Sequence, residues 1–378
     1  MVKLLIAGDF VPRARVQCLI EDGKCNDVFS GVAPYILDSD YSVINLEAPI
    51  VVSPSAVSIQ KCGPNIKSSP KTIKALKSVG FNLVTLANNH FYDYAENGVS
   101  DTLQICADEG MDFVGGGYNI NQAGAILYKE IHGFKFAFIN CCENEFSIAK
   151  LDRGGSNPIN PVRQFYSIQE AKRNSDKVII ITHGGPENYQ YPTPRMKELF
   201  RFFVDSGADV VVNHHQHCYS GYEIYNGKPI FYGLGNFCFD YANKHKSKWN
   251  DGYMVQIVFD DPSTIFNIIP YVQGFDVPGV RLMTDDEKRN FHDFILECNQ
   301  LIQDDLNLER KYSEFCEVSS DTYLMSLEPY TNKYLSYMRE HGLIPSFLNK
   351  DRALRVMNDL MCESHQERFK YALTKKLK

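Results

Sequence analysis

The sequence predicts an α/β sandwich with mixed sheets, followed by a helical C-terminal extension, and three observations carry that expectation. Short runs rich in Val, Ile and Leu alternate with helical patterns over the first two-thirds of the chain. Hairpin signals interrupt the alternation, which rules out a wholly parallel sheet. Beyond Pro278 the strand-like runs stop, and charge-rich segments with helical apolar spacing take over.

The elements follow in order. Val2–Ala7, Ser42–Leu46, Asn82–Ala87, Lys177–Thr182 and Asp209–Val212 read as buried strands, because they are apolar without alternation. Ser69-Pro70 supplies a cap and a first-turn proline for a helix over Lys71–Val79, which Gly80 ends. Thr193-Pro194 repeats that start before Arg195–Ser206, with Gly207 as the stop. His132-Gly133 separates Ala125–Glu130 from Lys135–Asn140, and Asn226-Gly227 separates Tyr222–Tyr225 from Pro229–Tyr232. Asn-Gly between two strand-like runs is the strongest short hairpin signal. Gly252–Phe259 and Ile265–Val272 form a further strand pair. Helical spacing then covers Asp285–Asn307, Tyr323–His341 and Asp351–Lys375, with a break near Pro345–Lys350. The expected domains are 1–277, the sandwich, and 278–378, the helical extension, a lid or an interaction module.

A chain of 378 residues buries a large core, and its formal net charge is −7. That balance offers no electrostatic footprint for polyanions and excludes nucleic acid as the expected partner. The eleven cysteines are odd in number, irregularly spaced and without a CxxC. They read as small buried thiols of a reducing, cytoplasmic compartment rather than as a disulfide framework or a zinc ribbon. No apolar run reaches the length of a membrane span, so a soluble protein is expected.

The chemistry concentrates where the apolar runs end. Asp9 follows Leu-Leu-Ile-Ala-Gly, and Glu47 follows Val-Ile-Asn-Leu. Asn88-Asn89-His90 follows Leu-Val-Thr-Leu-Ala, His183 follows Val-Ile-Ile-Ile-Thr, and His214-His215-Gln216-His217 follows Val-Val-Val-Asn. Open α/β sheets bind ligands outside the carboxyl ends of their strands, so these five ends are expected to share one crevice. Read as a strand end, His215 and His217 point the same way and Gln216 the other. Singly each is an ordinary turn, solvated or loop residue; together they point to a metal site on Asp9, Glu47, Asn89, His183, His215 and His217. Carboxylate, amide oxygen and imidazole without thiolate suit Zn, Mn or Fe(II), and a set this large suits one or two ions. Two ions sharing a water are the pattern of hydrolysis by metal-activated hydroxide.

With these residues in hand, the chain resembles the CapA family of poly-γ-glutamate capsule synthesis proteins, in the calcineurin-like metallophosphoesterase superfamily. Gly8-Asp9, Asn45-Leu46-Glu47, Leu86-Ala87-Asn88-Asn89-His90 with Asp93, His183-Gly184-Gly185, His214–His217 and Phe231–Phe237 carry the resemblance over roughly residues 1–240. It implies a metallophosphoesterase-like αββα sandwich. It also implies that Glu47 stands for the superfamily's bridging Asp, with Asn89, His183 and His215 on one ion and Asp9 and His217 on the other. His90 would then give a proton to the leaving group, or stabilise its charge, and Asp93 would orient His90. Phe10 and Val11 follow Asp9 where the superfamily has Asp-x-His, so one ion loses a histidine. Gly184 stands where the family often has Trp, and from the apolar runs no counterpart of the family's frequent membrane anchor is expected.

Arg13, Lys61 and Glu187 are the weaker candidates for the substrate crevice, since each also reads as a surface charge. Asn236 is expected to tie loops together, and His132, His245, His292, His341 and His365 to be structural or solvated. The expected function is metal-dependent hydrolysis, of a phosphoester or an amide such as a γ-glutamyl bond, linked to capsule or surface-polymer biosynthesis. Its substrate is a small molecule or a polymer. The competing expectation is a non-catalytic, metal-containing scaffold that binds a polymer, or a synthase partner through the C-terminal helices. A nucleotide-dependent ligase is disfavoured because GxxxxGK[ST] is missing.

Overall fold

The computed structural model describes residues 1–240, 246–260, 263–330 and 332–376. It divides into two compact units, Met1–Glu309 and Arg310–Lys378. In the first, one sheet runs in the order Val280–Leu282, Ser263–Gln273, Asp251–Asp260, Val2–Val11, Tyr41–Leu46, Leu83–Thr85, Asp112–Val114, and Asn236–Phe239 joins the far end of Val2–Val11. The other runs Tyr222–Tyr225, Lys228–Phe231, Val210–His214, Lys177–His183, Phe134–Cys142, Leu127–Ile131. Each sheet combines parallel strands, such as Val2–Val11 beside Tyr41–Leu46 and Lys177–His183 beside Val210–His214, with antiparallel neighbours, on one side in the first sheet and at both edges in the second.

Alternation along the strands assigns the layers. Leu4 and Ile6 meet Phe136, Phe138, Ile179, Ile181, Val210 and Val212 between the two sheets. Leu5 and Ala7 turn the other way, onto helices Ala14–Glu21, Lys71–Ser78 and Ala95–Asp108 through Val16, Ile73, Leu76 and Val99. Val178, Ile180 and Val211 do the same on the second sheet, against helices Pro161–Asn174 and Pro194–Asp205 through Ile168, Phe200 and Phe203. The result is the expected αββα sandwich with mixed sheets, and burial on both faces is why its strands carry uninterrupted apolar runs.

Most local signals act as anticipated, although Pro70 is the cap residue of helix Lys71–Ser78 and not its first residue, and no side chain caps that end. The Thr193 side chain accepts from Met196 N and Pro194 opens the helix. Both hairpin turns put two successive residues at positive φ, His132-Gly133 and Asn226-Gly227, the geometry of a two-residue turn that matches strand twist.

The C-terminal pattern departs from expectation in two ways. The segment read as one helix over Asp285–Asn307 ends at Ile302, and a second helix covers Asp305–Met325. Lys197, itself buried, hydrogen-bonds Ile302 O and reaches Asp305 Oδ1 at 2.6 Å, so the break is fixed by a tertiary contact. Helix Asp285–Ile302 buries Phe291, Ile295, Cys298 and Ile302 and belongs to the sandwich unit. One more strand, Val280–Leu282, follows Pro278, and the compact units divide at Glu309/Arg310. In the second unit, helices Lys333–Glu340, Lys350–Met361 and Glu363–Lys376 contain no buried residue. Glu328 gathers this unit, taking Arg339 Nε at 3.1 Å, Phe347 N at 2.9 Å and the Ser346 hydroxyl. Among the described residues no helix is long and apolar enough to cross a membrane.

Candidate metal centre

Register brings the strand ends together. Asp9 lies opposite Asn45, Asn45 opposite Thr85, and His183 opposite both His214 and Cys142. Glu47 follows immediately on its strand, and Asn89 lies four residues beyond Thr85, where its strand ends. Gly8 is needed for a close approach: a Cβ there would stand 2.0 Å from Gly235 O, whose strand must come in beside Asp9.

His215 and His217 reach the site differently from the expectation. Their strand stops at His214, and both residues lie beyond it in the left-handed region, with φ of +94° and +56°. Non-glycine residues held there cost about 1–3 kcal/mol each and tend to occur at functional sites. Gln216 between them points away and donates to Tyr189 O at 2.9 Å and Tyr191 O at 3.3 Å. A strained turn, not strand alternation, therefore aims the two imidazoles inward.

All six residues singled out as ligands converge. Donor atoms of Glu47, His183 and His215 lie within 4.8 Å of one another, and so do those of Asp9, Glu47 and His217, which leaves Glu47 common to both groups. Glu47 Oε1 is 3.6 Å from His183 Nε2 and 3.9 Å from His217 Nε2. Asn89 Oδ1 lies 3.1 Å from His183 Nε2, and His215 Nδ1 lies 3.0 Å from that same nitrogen. His217 has its outer nitrogen fixed, since Nδ1–H donates to Asn236 Oδ1 at 2.9 Å and Nε2 is left toward Glu47.

The electrostatics fit a cation. Both oxygens of Glu47 are buried without a hydrogen-bond partner, and burial, then the neighbouring Asp9, push its pKa well above the usual range. Burial, then His215, lowers His183 well below the ordinary imidazole value, and burial, then His217, brings His215 down to about 4. Both rings are neutral at pH 7, the state that ligates metal. Burial alone would raise Asp9, but His214, with Nδ1 3.4 Å away, and the other rings hold it below the normal carboxylate range. Among the described residues there is no thiolate in either group. An unpartnered buried carboxylate facing neutral imidazoles is costly alone and satisfied by a divalent ion, so these residues fit Zn, Mn or Fe(II).

His90 stands beside this cluster. Its Nδ1 is 2.7 Å from Asp93 Oδ2, and burial, against the pull of Asp93, lowers its pKa. Lys61 is not a crevice residue: its side chain is 3% exposed, its Nζ lies 3.1 Å from His90 Nδ1, and it forms an ion pair with Asp93. Asp93 Oδ2 also takes Ile66 N at 2.8 Å, so it holds the 59–66 loop as well as the ring. A cavity of about 430 Å³ opens here, lined by His90, His217, Pro64, Ile66, Glu187, Asn188, Phe239, Ser247 and Trp249. Glu187 is on this wall, and Arg13 lies with its guanidinium 5.8 Å from the Phe239 ring centre.

Three groups were missed by sequence reasoning in the roles they take here. Asn45, Trp249 (ring centre 4.7 Å from that of His217) and Glu145 (Oε1 4.0 Å from His215 Nε2) all adjoin the ligands. Asn45 sat inside a recognised motif, but nothing marked Glu145 or Trp249. Asn236, expected to tie loops, does so through His217 O and Trp249 O. His132, His292 and His341 are exposed, His365 is half-buried, and His245 lies outside the described residues.

Fold and cluster define a class: αββα sandwiches with carboxylate, amide and imidazole donors at the strand ends. The family model for the bacterial capsule synthesis protein PGA_cap matches residues 3–241, and the chain belongs to that family. It is similar to the capsule biosynthesis protein CapA of Bacillus anthracis, 33% identical over 276 residues that cover 71% of this chain and 66% of that protein. It is also similar to the PGA biosynthesis protein CapA of Bacillus subtilis (strain 168), 34% identical over 237 residues and 62% of each chain. A probable polyglutamine synthesis accessory protein of Mycobacterium tuberculosis (strain ATCC 25618 / H37Rv) is 27% identical over 242 residues, covering 60% of this chain and 63% of that one. The chain spans just under two-thirds of the length of these relatives.

Proposed function

We propose that this protein is a metal-dependent hydrolase serving the synthesis of a capsule or surface polymer, poly-γ-glutamate or a polysaccharide. The names of its relatives support the polymer context. The observation that carries the hydrolase reading is Glu47: a fully buried carboxylate, unpartnered, common to two groups of donors. A divalent ion there supplies Lewis acidity and an activated water. Asn89, His183 and His215 would hold one ion and Asp9 and His217 the other, with Glu47 within reach of both groups. Asp93 steadies His90 through Nδ1, leaving Nε2 for the leaving group. Burial lowers the pKa of His90, so the resting ring is neutral with its proton on Nδ1, and it passes a proton to the leaving group only after taking one up at Nε2. We place this work in the cytoplasm, a reducing compartment that suits eleven unpaired cysteines.

Elemental analysis should find about one or two ions of Zn, Mn or Fe per chain. A screen of phosphodiester, phosphomonoester and γ-glutamyl substrates with Mn or Zn identifies the bond. His90→Ala should then lower kcat by about 10²–10⁴ with metal retained. A metal-free protein whose His217→Ala variant works normally would sink this reading.

A scaffold role has its own supporting observation. Helix Lys350–Met361 exposes Leu354, Met357, Leu360 and Met361, an apolar stripe suited to a partner. If a deletion of residues 310–378 keeps binding to a polymer-synthesis partner, these helices are not the docking element.

A further inference from the structure

We infer that Asn45 is the positioning residue that holds Asp9 and His183, one donor from each sheet, against each other. The inference rests on the metal-centre reading for one of its two readouts only.

Asp9, Asn45 and Thr85 are lateral neighbours on three adjacent parallel strands, so their side chains leave the sheet on one side. His183 approaches from the opposite sheet. Asn45 lies between them, 1% exposed. Its Nδ2 donates to Asp9 Oδ1 at 2.7 Å and stands 3.2 Å from His183 Nδ1. Its Oδ1 accepts from Thr85 Oγ1 at 3.2 Å and Asn88 Nδ2 at 3.4 Å. Asn88 continues the chain of contacts: Nδ2 donates to Leu46 O at 2.9 Å, and Oδ1 takes His90 N at 3.1 Å. One amide thus touches a donor of each group and, through Asn88, the backbone of His90.

The pattern has a chemical consequence for the metal-free protein. Both amide hydrogens of Asn45 are engaged, one on Asp9 and one on the His183 Nδ1 lone pair, so the ring proton of His183 belongs on Nε2. There it faces Asn89 Oδ1 at 3.1 Å and His215 Nδ1 at 3.0 Å, both acceptors. Leucine or alanine at position 45 would leave His183 Nδ1 and Asp9 Oδ1 without this shared donor. Aspartate would put an oxygen where Nδ2 now donates, 2.7 Å from Asp9 Oδ1.

The test compares wild type with Asn45→Ala, Asn45→Asp and, as a control, Thr85→Val, which removes a neighbour of Asn45 but neither donor contact. In metal-free protein with ¹⁵N-labelled histidine, His183 (assigned through His183→Gln) should show a single Nε2–H tautomer in wild type and Thr85→Val. Asn45→Ala should show a mixture. Zn²⁺ affinity, read by competition with a chromophoric chelator, should fall about 10–100-fold in Asn45→Ala, because Asp9 loses the donor that orients it, and should fall less in Asn45→Asp, whose carboxylate can accept His183 Nδ1–H and free Nε2 for the ion. An unchanged His183 tautomer together with wild-type Zn²⁺ affinity in Asn45→Ala would overturn the inference. If wild type itself takes no Zn²⁺, the metal-centre reading fails, and the tautomer comparison alone decides the role of Asn45.

Discussion

Replacing Glu47 with glutamine should stabilise the metal-free protein while removing its stabilisation by divalent ions. The carboxyl group is fully buried, neither oxygen has a hydrogen-bond partner, and burial raises its pKa well above 4.5. A raised carboxyl pKa means that the folded state keeps a proton the unfolded chain has released, so stability falls as pH rises from about 4.5 toward the folded value. Because the group can always stay protonated instead of ionising, the penalty at pH 7 is capped near 1.36 × (7 − 4.5), about 3 kcal/mol. Glutamine has the same shape and no charge, so Glu47→Gln should recover up to that amount at pH 7 and nothing at about pH 4.5. With Mn or Zn near 100 times its dissociation constant the gap closes: wild type gains about 2.7 kcal/mol and the variant gains little. Urea unfolding in a chelator and then in excess metal, at both pH values, measures all four numbers. A Glu47→Gln protein less stable than wild type in the chelator at pH 7 would refute the reasoning, because the carboxylate would then have a partner.

His215 should give the opposite pH dependence. Its pKa is lowered from 6.5 to about 4, so the unfolded chain takes a proton that the folded one refuses, and metal-free stability falls as pH drops from about 6.5 to 4. The loss is about 3 kcal/mol, seen as the difference between wild type and His215→Gln in denaturant unfolding across that window; a pH-independent difference would contradict it. Lys61→Met should cost about 3–5 kcal/mol, since it strips a buried cation from buried Asp93. Combined with Asp93→Asn the loss should be smaller than the sum of the two, and additivity in a double-mutant cycle would mean that they are not coupled.

Much of the sandwich was legible in the sequence because its causes are local. Apolar runs marked strands buried on both faces, Thr193-Pro194 marked a helix start, and Asn226-Gly227 marked a hairpin. The six residues singled out as ligands were legible for a related reason: each sits where an apolar run ends, and parallel strands deliver their ends to one edge. Helix boundaries after Pro278 were less legible, because the break at Ile302 depends on Lys197, more than a hundred residues earlier.

By itself, then, the sequence determined the layers, the hairpins and the edge at which the polar residues gather, since backbone period and turn chemistry are written residue by residue. Only the tertiary structure decided how those residues face one another. It turned His215 and His217 inward through two left-handed residues rather than along a strand. It buried Lys61 against Asp93 and His90, left Glu47 without a partner between two groups of donors, and set Asn45 between Asp9 and His183. The contacts of Lys61, Glu47 and Asn45 join separate segments of the chain, and a contact of that kind has no signature in the residues next to it.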